Sequence, residues 1–281
     1  MKLCPLVALF VTATTAFTQA PAPARTPSPN LAGIAHVALR VHDLDASVAF
    51  YQKLGFVKAF DLSRDGEVYE AFIKINDRQF IELYPATEKD SQTGFLHVCF
   101  EGNDLNSAHD YYVSQGLSPK EVRKAGAGNM LFTMPGPDTP TGPQNMEYTQ
   151  YMPESLHSKD FGQHLGADRV ADKMVSVAIA TNDPAAATAF YLNKLGFTKT
   201  HYGTQERLAI PGANGASLEI VPAQPLGYLA RIYFQAPLAE AKTKLDHQHI
   251  HYTATHLELT LTDPDGNQIM VDEKPGVYTS Y

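Results

Sequence analysis

Hydrophobic and polar residues follow the same order twice along this chain. An apolar run at residues 34–41 (IAHVALRV) is typical of a buried strand, and Leu44 and Val48 then begin one apolar face of a helix. Residues 174–197 repeat the order of residues 34–56: an apolar run, a polar turn, and a helix that ends in FY before the sequence LGF. This internal repeat predicts two similar domains.

Residues that start and end helices occur at matching places in the two copies. Asp43 or Asp45 in the first copy and Asp183 in the second predict helix N-caps, and Pro184 suits a first helical position. The glycine of each LGF sequence falls where a helix end needs a residue in the left-handed conformation. The two copies are therefore expected to share their local structure as well as their pattern.

Further strands continue the repeat. RQFIELYPA at 78–86 matches GASLEIVPA at 215–223, which aligns Glu82 with Glu219. The sequences GFLHVCF in the first half and GYLARIYF in the second each open another strand, and each is followed by a helical pattern and two closing strands. Each half thus reads as a pair of βαβββ motifs, and the expected fold class is α+β with two tandem domains.

The second helix and the closing turn differ in detail between the halves. Helices are expected at about 104–115 and 237–247. The closing strands of the second half are joined by DPDG at 263–266, a strong turn signal. The corresponding PGPDTPTGPQ at 135–144 is longer and rich in proline, which predicts a reshaped loop at the rim of the first domain.

The N-terminal sequence predicts export. Lys2, the apolar stretch from Leu6 to Val11 and the small residues Thr18 and Ala20 are the parts of a cleaved secretory signal, so a periplasmic or secreted protein is expected, not bound to the membrane after cleavage. The expected boundaries are a signal peptide at 1–20, a Pro-rich disordered leader at 21–32, a first domain at 33–152, a linker at 153–171 and a second domain at 172–276.

Composition narrows the class of protein. Of the 281 residues, 44% are hydrophobic and 19% are charged, which is typical of a globular protein that buries a core. The formal net charge of -8 argues against nucleic-acid binding, because no basic stripe is present to neutralise phosphates. Cys99 is the cysteine left after signal cleavage, and its apolar strand context predicts a buried side chain.

The βαβββ pairs, the helix ending in FY before LGF, and the strand glutamates resemble the vicinal oxygen chelate (VOC) superfamily. That superfamily includes glyoxalase I, methylmalonyl-CoA epimerase, fosfomycin and bleomycin resistance proteins, and extradiol dioxygenases. The resemblance covers nearly all of the chain after residue 32 and implies that each domain folds into a U-shaped, half-open barrel. In such domains a divalent metal ion lies in the cleft, and side chains of different strands hold it.

The resemblance assigns four metal ligands to the first domain: His36, Glu82, His97 and Glu147. Two imidazoles and two carboxylates suit Zn²⁺, Ni²⁺, Fe²⁺ or Mn²⁺. Glu82 and Glu147 are also the expected catalytic carboxylates, because a ligand glutamate can shuttle a proton in glyoxalase-like isomerisation. Arg40 matches an arginine that grips a substrate carboxylate in glyoxalase I. The alternative interpretation is that the histidines are core residues and Glu147 is a surface residue.

The second domain is expected to bind no metal. The positions that correspond to the four ligands are Ser176, Glu219, either Ala230 or Arg231, and Met270. Serine and methionine in place of histidine and carboxylate remove the donor set that a hard divalent ion requires. This domain is therefore expected to shape the structure or the substrate site.

Several functions remain open on the sequence. The first is an exported metal-dependent enzyme that acts on a small oxygen-chelating molecule, with isomerase or lyase chemistry. If Glu82 is only structural, the other three ligands resemble the site of an extradiol-type dioxygenase with iron. A third is a non-catalytic binding protein of the resistance type. Tyr148 and Tyr151 could line the cleft or pack, and His247 and its neighbours are expected to be solvated. The chain is expected to be a monomer or a homodimer.

Overall fold

The computed structural model describes residues 28–213 and 215–273. The expected signal peptide and most of the expected leader lie outside these residues. Within them, no helix combines the length and the apolar character that crossing a membrane requires. The first domain contains two longer helices, α1 (Leu44–Lys53) and α2 (Leu105–Ser114). Its strands are β1 (Leu31–Val41), β2 (Val57–Arg64), β3 (Glu67–Asn76), β4 (Gln79–Pro85), β5 (Gly94–Gly102), β6 (Arg123–Lys124), β7 (Met130–Thr139) and β8 (Gly142–Gln150).

The second domain repeats this order after a short helix, α3 (Leu156–Lys159), in the connecting segment. Its helices are α4 (Pro184–Lys194), the four-residue α5 (Ala223–Leu226) and α6 (Leu238–His247). Its strands are β9 (Met174–Thr181), β10 (Thr198–Tyr202), β11 (Gln205–Ala209), β12 (Ser217–Pro222), β13 (Arg231–Ala236), β14 (Thr253–Ala254), β15 (Glu258–Thr262) and β16 (Gln268–Glu273).

Each domain forms one eight-stranded sheet with the same topology. The order in the first is β2-β3-β4-β1-β5-β8-β7-β6, and the order in the second is β10-β11-β12-β9-β13-β16-β15-β14. The first strands of the two βαβββ motifs, β1 and β5, run antiparallel side by side. Each pairs in parallel on its other side with the last strand of its own motif, β4 or β8. The α+β fold with two tandem pairs of βαβββ motifs is confirmed.

The helix signals act as the sequence predicts. Asp43 caps α1 by accepting a hydrogen bond from the backbone N–H of Ala46, and Asp183 caps α4 in the same way from Ala186. The glycine after α1, Gly55, has a φ of 82°. A Cβ atom at Gly55 would also lie only 2.5 Å from the carbonyl oxygen of Asp168. Glycine is therefore required here both by the turn and by the approach of the connecting segment.

The largest hydrophobic core cluster of the described residues contains side chains from both domains. Buried residues of both sheets form one continuous cluster. Phe56 packs against Phe234 with ring centroids 5.3 Å apart, and Phe100 packs against Phe197 at 5.8 Å. Each of these pairs joins one domain to the other, so neither domain buries its apolar surface alone.

Two tyrosines of the repeated FY sequence make matching contacts across the domains. Tyr51 on α1 donates a hydrogen bond to Asp263 Oδ2 at 3.0 Å, in the turn between β15 and β16. Tyr191 on α4 donates to Gln144 Oε1 at 2.6 Å, on β8 of the first domain. The repeat therefore produces an approximate two-fold interface, in which the first helix of each domain contacts the closing hairpin of the other.

Two features of the first domain, the hairpin at residues 135–144 and the start of β1, differ from the sequence expectations. Residues 135–144, expected as a loop at the rim, extend β7 and β8 into a hairpin whose tip reaches the second domain. There Thr181 Oγ1 donates to the carbonyl oxygen of Asp138 at 2.7 Å. The expected leader ran to residue 32, but β1 begins at Leu31. Leu31 is buried, and its N–H donates to the carbonyl oxygen of Pro211 at 3.0 Å.

The segment 153–171 is packed against the first domain, whereas the sequence indicated only a polar linker. Lys74, on β3, is fully buried, and its Nζ contacts Asp160 Oδ2 at 2.7 Å and Asp77 Oδ1 at 2.8 Å. The same ammonium group donates to the backbone carbonyl oxygens of Asp160 and Gln163. Because a buried ammonium needs partners, these contacts fix the segment to the sheet.

Candidate metal centre

The four candidate ligands lie on the four central strands of the first sheet. His36 is on β1, Glu82 on β4, His97 on β5 and Glu147 on β8. Across the sheet, Ala38 lies opposite both Glu82 and His97, and Cys99 lies opposite both His36 and Glu147. Since side chains alternate along a strand, this register brings the four to one face. All four are buried, with at most 9% of each residue exposed.

The side chains of these four residues converge to within contact distance. His36 Nε2 lies 3.1 Å from His97 Nε2 and 3.4 Å from Glu147 Oε1. The other carboxylate oxygen of Glu147, Oε2, lies 4.0 Å from His97 Nε2. Glu82 approaches the other ring nitrogen of His36, with Oε1 2.9 Å from Nδ1. The structure thus brings together all four residues that the sequence assigned.

These distances fit a bound divalent ion. Ligand atoms about 2.1 Å from one ion lie roughly 3 to 3.5 Å from each other, which is the spacing found around His36 Nε2. His36 Nδ1 has no hydrogen-bond partner among the described residues despite the nearby Glu82 oxygen, because the two atoms do not meet at hydrogen-bonding angles. Among those residues, His36 with Glu82 and His97, and His36 with Cys99 and Glu147, are groups able to hold a metal ion.

Burial and mutual charge set the protonation of the cluster. Burial opposes the charge on His36, but Cys99 and Glu82 raise the pKa of His36 well above its ordinary value. Although burial opposes it, the charge of His36 lowers the pKa of Glu82 to about 2. Burial lowers the pKa of His97, and contacts with the two histidines lower that of Glu147 in spite of its burial. Both carboxylates and His97 are therefore in the forms that bind metals.

A second pair of side chains joins Glu82 in the cleft, and the sequence analysis missed both. The hydroxyl of Tyr84 lies 2.5 Å from Glu70 Oε1 and 3.2 Å from Glu82 Oε2. Burial raises the pKa of Glu70 to about 8, with a further contribution from Glu82. A protonated Glu70 can donate to Tyr84 while Tyr84 donates to Glu82, so the three groups form one hydrogen-bonded chain. The spacing of two between Glu82 and Tyr84 on one strand was the available signal.

The cluster opens into a cleft of about 150 Å³. That volume is enough for a molecule about as large as benzene. His36, Glu82 and Glu147 lie in its lining, together with Arg123 from β6 and His157 from α3. Neither was identified from the sequence: His157 comes from the connecting segment outside the repeated motifs, and Arg123 comes from β6, a strand of two residues that is too short to show a pattern.

Arg40 does not reach this cleft. Its guanidinium group lies 3.8 Å from a carboxylate oxygen of Asp90, and it is not among the described residues that line the cleft. Because side chains alternate along a strand, the spacing of four residues between His36 and Arg40 predicts that both lie on the same face of β1. The pairing of β1 with β4 is unbroken from His36 to Arg40, which lies opposite Tyr84, so Arg40 follows the ligands along the same face, and its guanidinium group turns to Asp90 instead of the cleft. Its assignment as a substrate-binding residue stays a prediction, and in this structure its contact is with Asp90 and not with the cleft.

The other side chains singled out in the sequence pack in the interior or face solvent. Tyr148 is fully buried and stacks on Phe132, with ring centroids 4.8 Å apart. Tyr151 stacks on His157 at 4.5 Å. Cys99 is buried as expected, and burial raises the pKa of its thiol, which keeps it protonated. His247 and its histidine neighbours on alternate positions are exposed.

The second domain shows what replaces a metal centre. Ala178 pairs with both Glu219 and Arg231, as Ala38 pairs with Glu82 and His97, so Arg231 is the counterpart of His97 and the ambiguity with Ala230 is resolved. By the same register, Met270 is the counterpart of Glu147, and Tyr233 that of Cys99.

Glu219 in that domain is neutralised by the protein itself. Arg231 Nη1 lies 3.5 Å from Glu219 Oε2, and the Tyr233 hydroxyl donates to the same oxygen. Leu226 of α5 packs with Met270 and Ala178 in a small apolar cluster on this face. A guanidinium group cannot act as a ligand because it has no free lone pair. The described residues of this site therefore lack the donor set of the first domain.

Comparison with known proteins agrees with this fold. Residues 33–146 match the family model of the Glyoxalase/Bleomycin resistance protein/Dioxygenase superfamily. The chain therefore contains a domain of this superfamily, and the second sheet repeats its topology. None of the curated proteins that were searched matches the chain.

Solved structures with this fold include glyoxalases and ring-cleaving dioxygenases. The Mn(II)-bound glyoxalase of Novosphingobium aromaticivorans is 15% identical, with a TM-score of 0.66 over 87% of this chain and 83% of that one. A catechol 2,3-dioxygenase is 16% identical, with a TM-score of 0.63 over 87% and 88%. An extradiol ring-cleaving dioxygenase from B. fuscum is 17% identical, with a TM-score of 0.62 over 90% and 74%.

Proposed function

We propose that this chain is a metal-dependent enzyme that acts on a small molecule through two neighbouring oxygen atoms. The observation that carries the proposal is the convergence of two imidazoles and a carboxylate from three strands, His36, His97 and Glu147, at distances of 3.1 to 4.0 Å. A divalent ion held there supplies Lewis acidity to the two oxygens of the substrate. The cleft of about 150 Å³ limits the reacting part of the substrate to the size of a small ring.

Isomerase or lyase chemistry is the first candidate. Glu82 borders the cluster, and Tyr84 connects it to Glu70 through two hydrogen bonds. A carboxylate that takes a proton from a substrate must later return it, and a chain of hydrogen-bonded groups behind it can adjust its charge during the cycle. Glu82 is the residue placed to move that proton, and Glu147 remains as the carboxylate of the metal site.

Extradiol-type ring cleavage is the second candidate. His36 Nε2, His97 Nε2 and Glu147 form a two-histidine, one-carboxylate triangle without any contribution from Glu82. Glu82 then lies behind His36, with Oε1 2.9 Å from Nδ1, in the position from which carboxylates commonly orient a ligating histidine once the ring is aligned by a metal ion. The similarity of the fold to a catechol 2,3-dioxygenase supports testing this chemistry.

Metal analysis tests the proposal first. The full chain is purified without chelators, and bound metals are measured by mass spectrometry before and after reconstitution with Mn²⁺, Fe²⁺, Ni²⁺ and Zn²⁺. We expect about one equivalent in the wild-type protein and none in His36→Ala or Glu147→Ala. His247→Ala removes an exposed histidine of the second domain and is the matched control, which should retain the metal.

The identity of the metal and the activity then separate the candidates. Cleavage of catechol that survives Glu82→Gln supports the dioxygenase, whereas turnover of a hydroxycarbonyl compound that is lost in Glu82→Gln supports the isomerase. A wild-type protein that takes up no metal even after reconstitution contradicts the enzyme and leaves a non-catalytic binding protein.

A further inference from the structure

His157 lies in the wall of the cleft although it belongs to neither βαβββ pair. It comes from α3, in the segment that connects the two domains. Its side chain lines the same cleft as His36, Glu82 and Glu147, and only 2% of the residue is exposed. The connecting segment thus adds an imidazole to a site that the repeated motifs otherwise build.

The neighbours of His157 place it beside Glu82. Its ring centroid lies 4.9 Å from that of Phe80 and 5.3 Å from that of Phe72. Phe72 pairs directly with Glu82 across β3 and β4, and Phe80 lies two residues before Glu82 on β4. All three side chains therefore point to the same face of the sheet, and the imidazole covers that face next to the candidate metal centre.

Both ring nitrogens of His157 lack hydrogen-bond partners among the described residues. The aromatic rings around it, including Tyr151 stacked at 4.5 Å, offer apolar surface and no acceptor for these nitrogens. Buried polar side chains in proteins nearly always have partners, and leaving one without a partner costs about 1–3 kcal/mol. Because His157 borders the cleft, a molecule bound there can supply such a partner after a small movement of the ring.

The position of this imidazole is fixed by its own chain on both sides. The N–H of Leu156 donates to the carbonyl oxygen of Ala127, which also lines the cleft, at 2.8 Å. Asp160, three residues after His157, is held by the buried Lys74. A group fixed in this way loses little freedom when it binds a ligand.

We propose that His157 is a substrate-binding residue that hydrogen-bonds a third polar group of the substrate, beyond the two oxygens that approach the metal site. This inference rests on the proposed function and narrows the substrate class to small molecules with three polar groups on one compact frame. Burial lowers the pKa of His157 to about 4. The imidazole is therefore neutral at pH 7, with one nitrogen as donor and the other as acceptor.

Matched probes test the inference. The full chain, loaded with the metal found bound to it, is titrated calorimetrically without oxygen with catechol, which has two oxygens. Pyrogallol and 3,4-dihydroxybenzoate are the probes with a third polar group. The variants are His157→Phe, which keeps the aromatic packing, and His157→Gln, which keeps a donor and an acceptor. His109→Phe is the control, because His109 packs edge-on against Phe132 outside the cleft.

We expect at least one of the larger probes to bind the wild-type protein about tenfold more tightly than catechol, the effect of one additional hydrogen bond. His157→Phe should abolish this preference without changing the affinity for catechol or lowering the melting temperature. His157→Gln should restore part of the preference, and His109→Phe should retain all of it.

The possible failures are distinguishable. The proposed role of His157 is wrong if the wild-type protein shows no preference for the larger probes. It is also wrong if His157→Phe leaves the preference unchanged or weakens the binding of catechol as much as that of the larger probes. In each case the metal site is unaffected. If the metal-loaded wild-type protein binds no catechol at all, chelation of neighbouring oxygens is contradicted, and the inference falls with the proposed function.

Discussion

His97 and Arg231 occupy equivalent strand positions in the two domains, and their chemistry distinguishes a site that can bind a metal ion from one that cannot. A neutral imidazole offers a lone pair to a metal ion, whereas a guanidinium group is always charged and offers none. Next to Glu82 the positive charge comes from His36, and from a metal ion where one is bound, whereas next to Glu219 the second domain carries the permanent charge of Arg231 at 3.5 Å. Together with Ser176 and Met270 at two other ligand positions, Arg231 replaces a metal site with a carboxylate that the protein neutralises itself.

His157 makes the stability of the protein sensitive to acid. Because burial lowers its pKa from the ordinary value of 6.5 to about 4, the unfolded chain binds a proton between these values and the folded chain does not. Stability should fall as the pH decreases from about 6.5 to 4, by up to about 3 kcal/mol from this group. Glu82, Asp160 and Glu147 favour its charged form, and His36 opposes it.

The measurement compares urea unfolding of the metal-free wild-type protein and His157→Phe at pH 7.5 and pH 5. The variant should lose less stability over this interval by about 1–2 kcal/mol, since half or more of the titration is then complete. Equal losses in both proteins would show that His157 is not held neutral by the fold. His109→Phe controls for the removal of a histidine as such.

At the scale of elements, the buried ammonium group of Lys74 holds α3 and the connecting segment to β3. Its contacts combine two carboxylates, Asp77 and Asp160, with two backbone carbonyl oxygens. Lys74→Met should destabilise the protein by about 3–5 kcal/mol, because Asp160 then remains buried with only the half-exposed His164 as a basic partner.

Denaturant unfolding checks this value. Lys89→Met, in an exposed position, is the control and should change stability by less than about 0.5 kcal/mol. Hydrogen exchange should increase at α3 in Lys74→Met before it increases in the strands. A loss below 1 kcal/mol would mean that the segment is held mainly by its apolar contacts.

Elements that depend on local chemistry could be predicted from the sequence, and contacts between distant segments could not. Asp43, Asp183 and Gly55 act within one turn of chain, so their types alone identify the helix ends. The ligand strands followed from the repeat. The contact of Arg40 with Asp90, in the segment after β4, is one that no residue type announces, and His157 reaches the cleft only because α3 folds back onto β3 and β4.

At the scale of the molecule, the approximate two-fold contact makes the two domains one thermodynamic unit. The hydrogen bonds of Tyr51 and Tyr191 cross the interface in opposite directions, and the core runs through it without interruption. Unfolding of one domain would expose apolar surface of the other, so the two should unfold together.

Calorimetry of the full chain should therefore show a single transition. Addition of the metal should raise the midpoint temperature of this one transition, even though the ligands belong to the first domain. At a hundredfold excess of metal over Kd, the free energy of unfolding should increase by about 2.7 kcal/mol. His36→Ala should show the same single transition without the rise. Two transitions, of which the metal shifts only one, would show that the domains fold independently.

The Arg231–Glu219 contact also bears on the order of events in biosynthesis. In a newly made chain the second domain already contains the positive charge that neutralises Glu219, the guanidinium group of Arg231. Because the two domains share a hydrophobic core, the second domain can stabilise the first before any metal ion binds. On the proposed function, the supply of metal would govern how much of the protein is active more than how much of it is folded. When metal is scarce, the protein would remain folded but inactive, and it could bind metal when the supply returns.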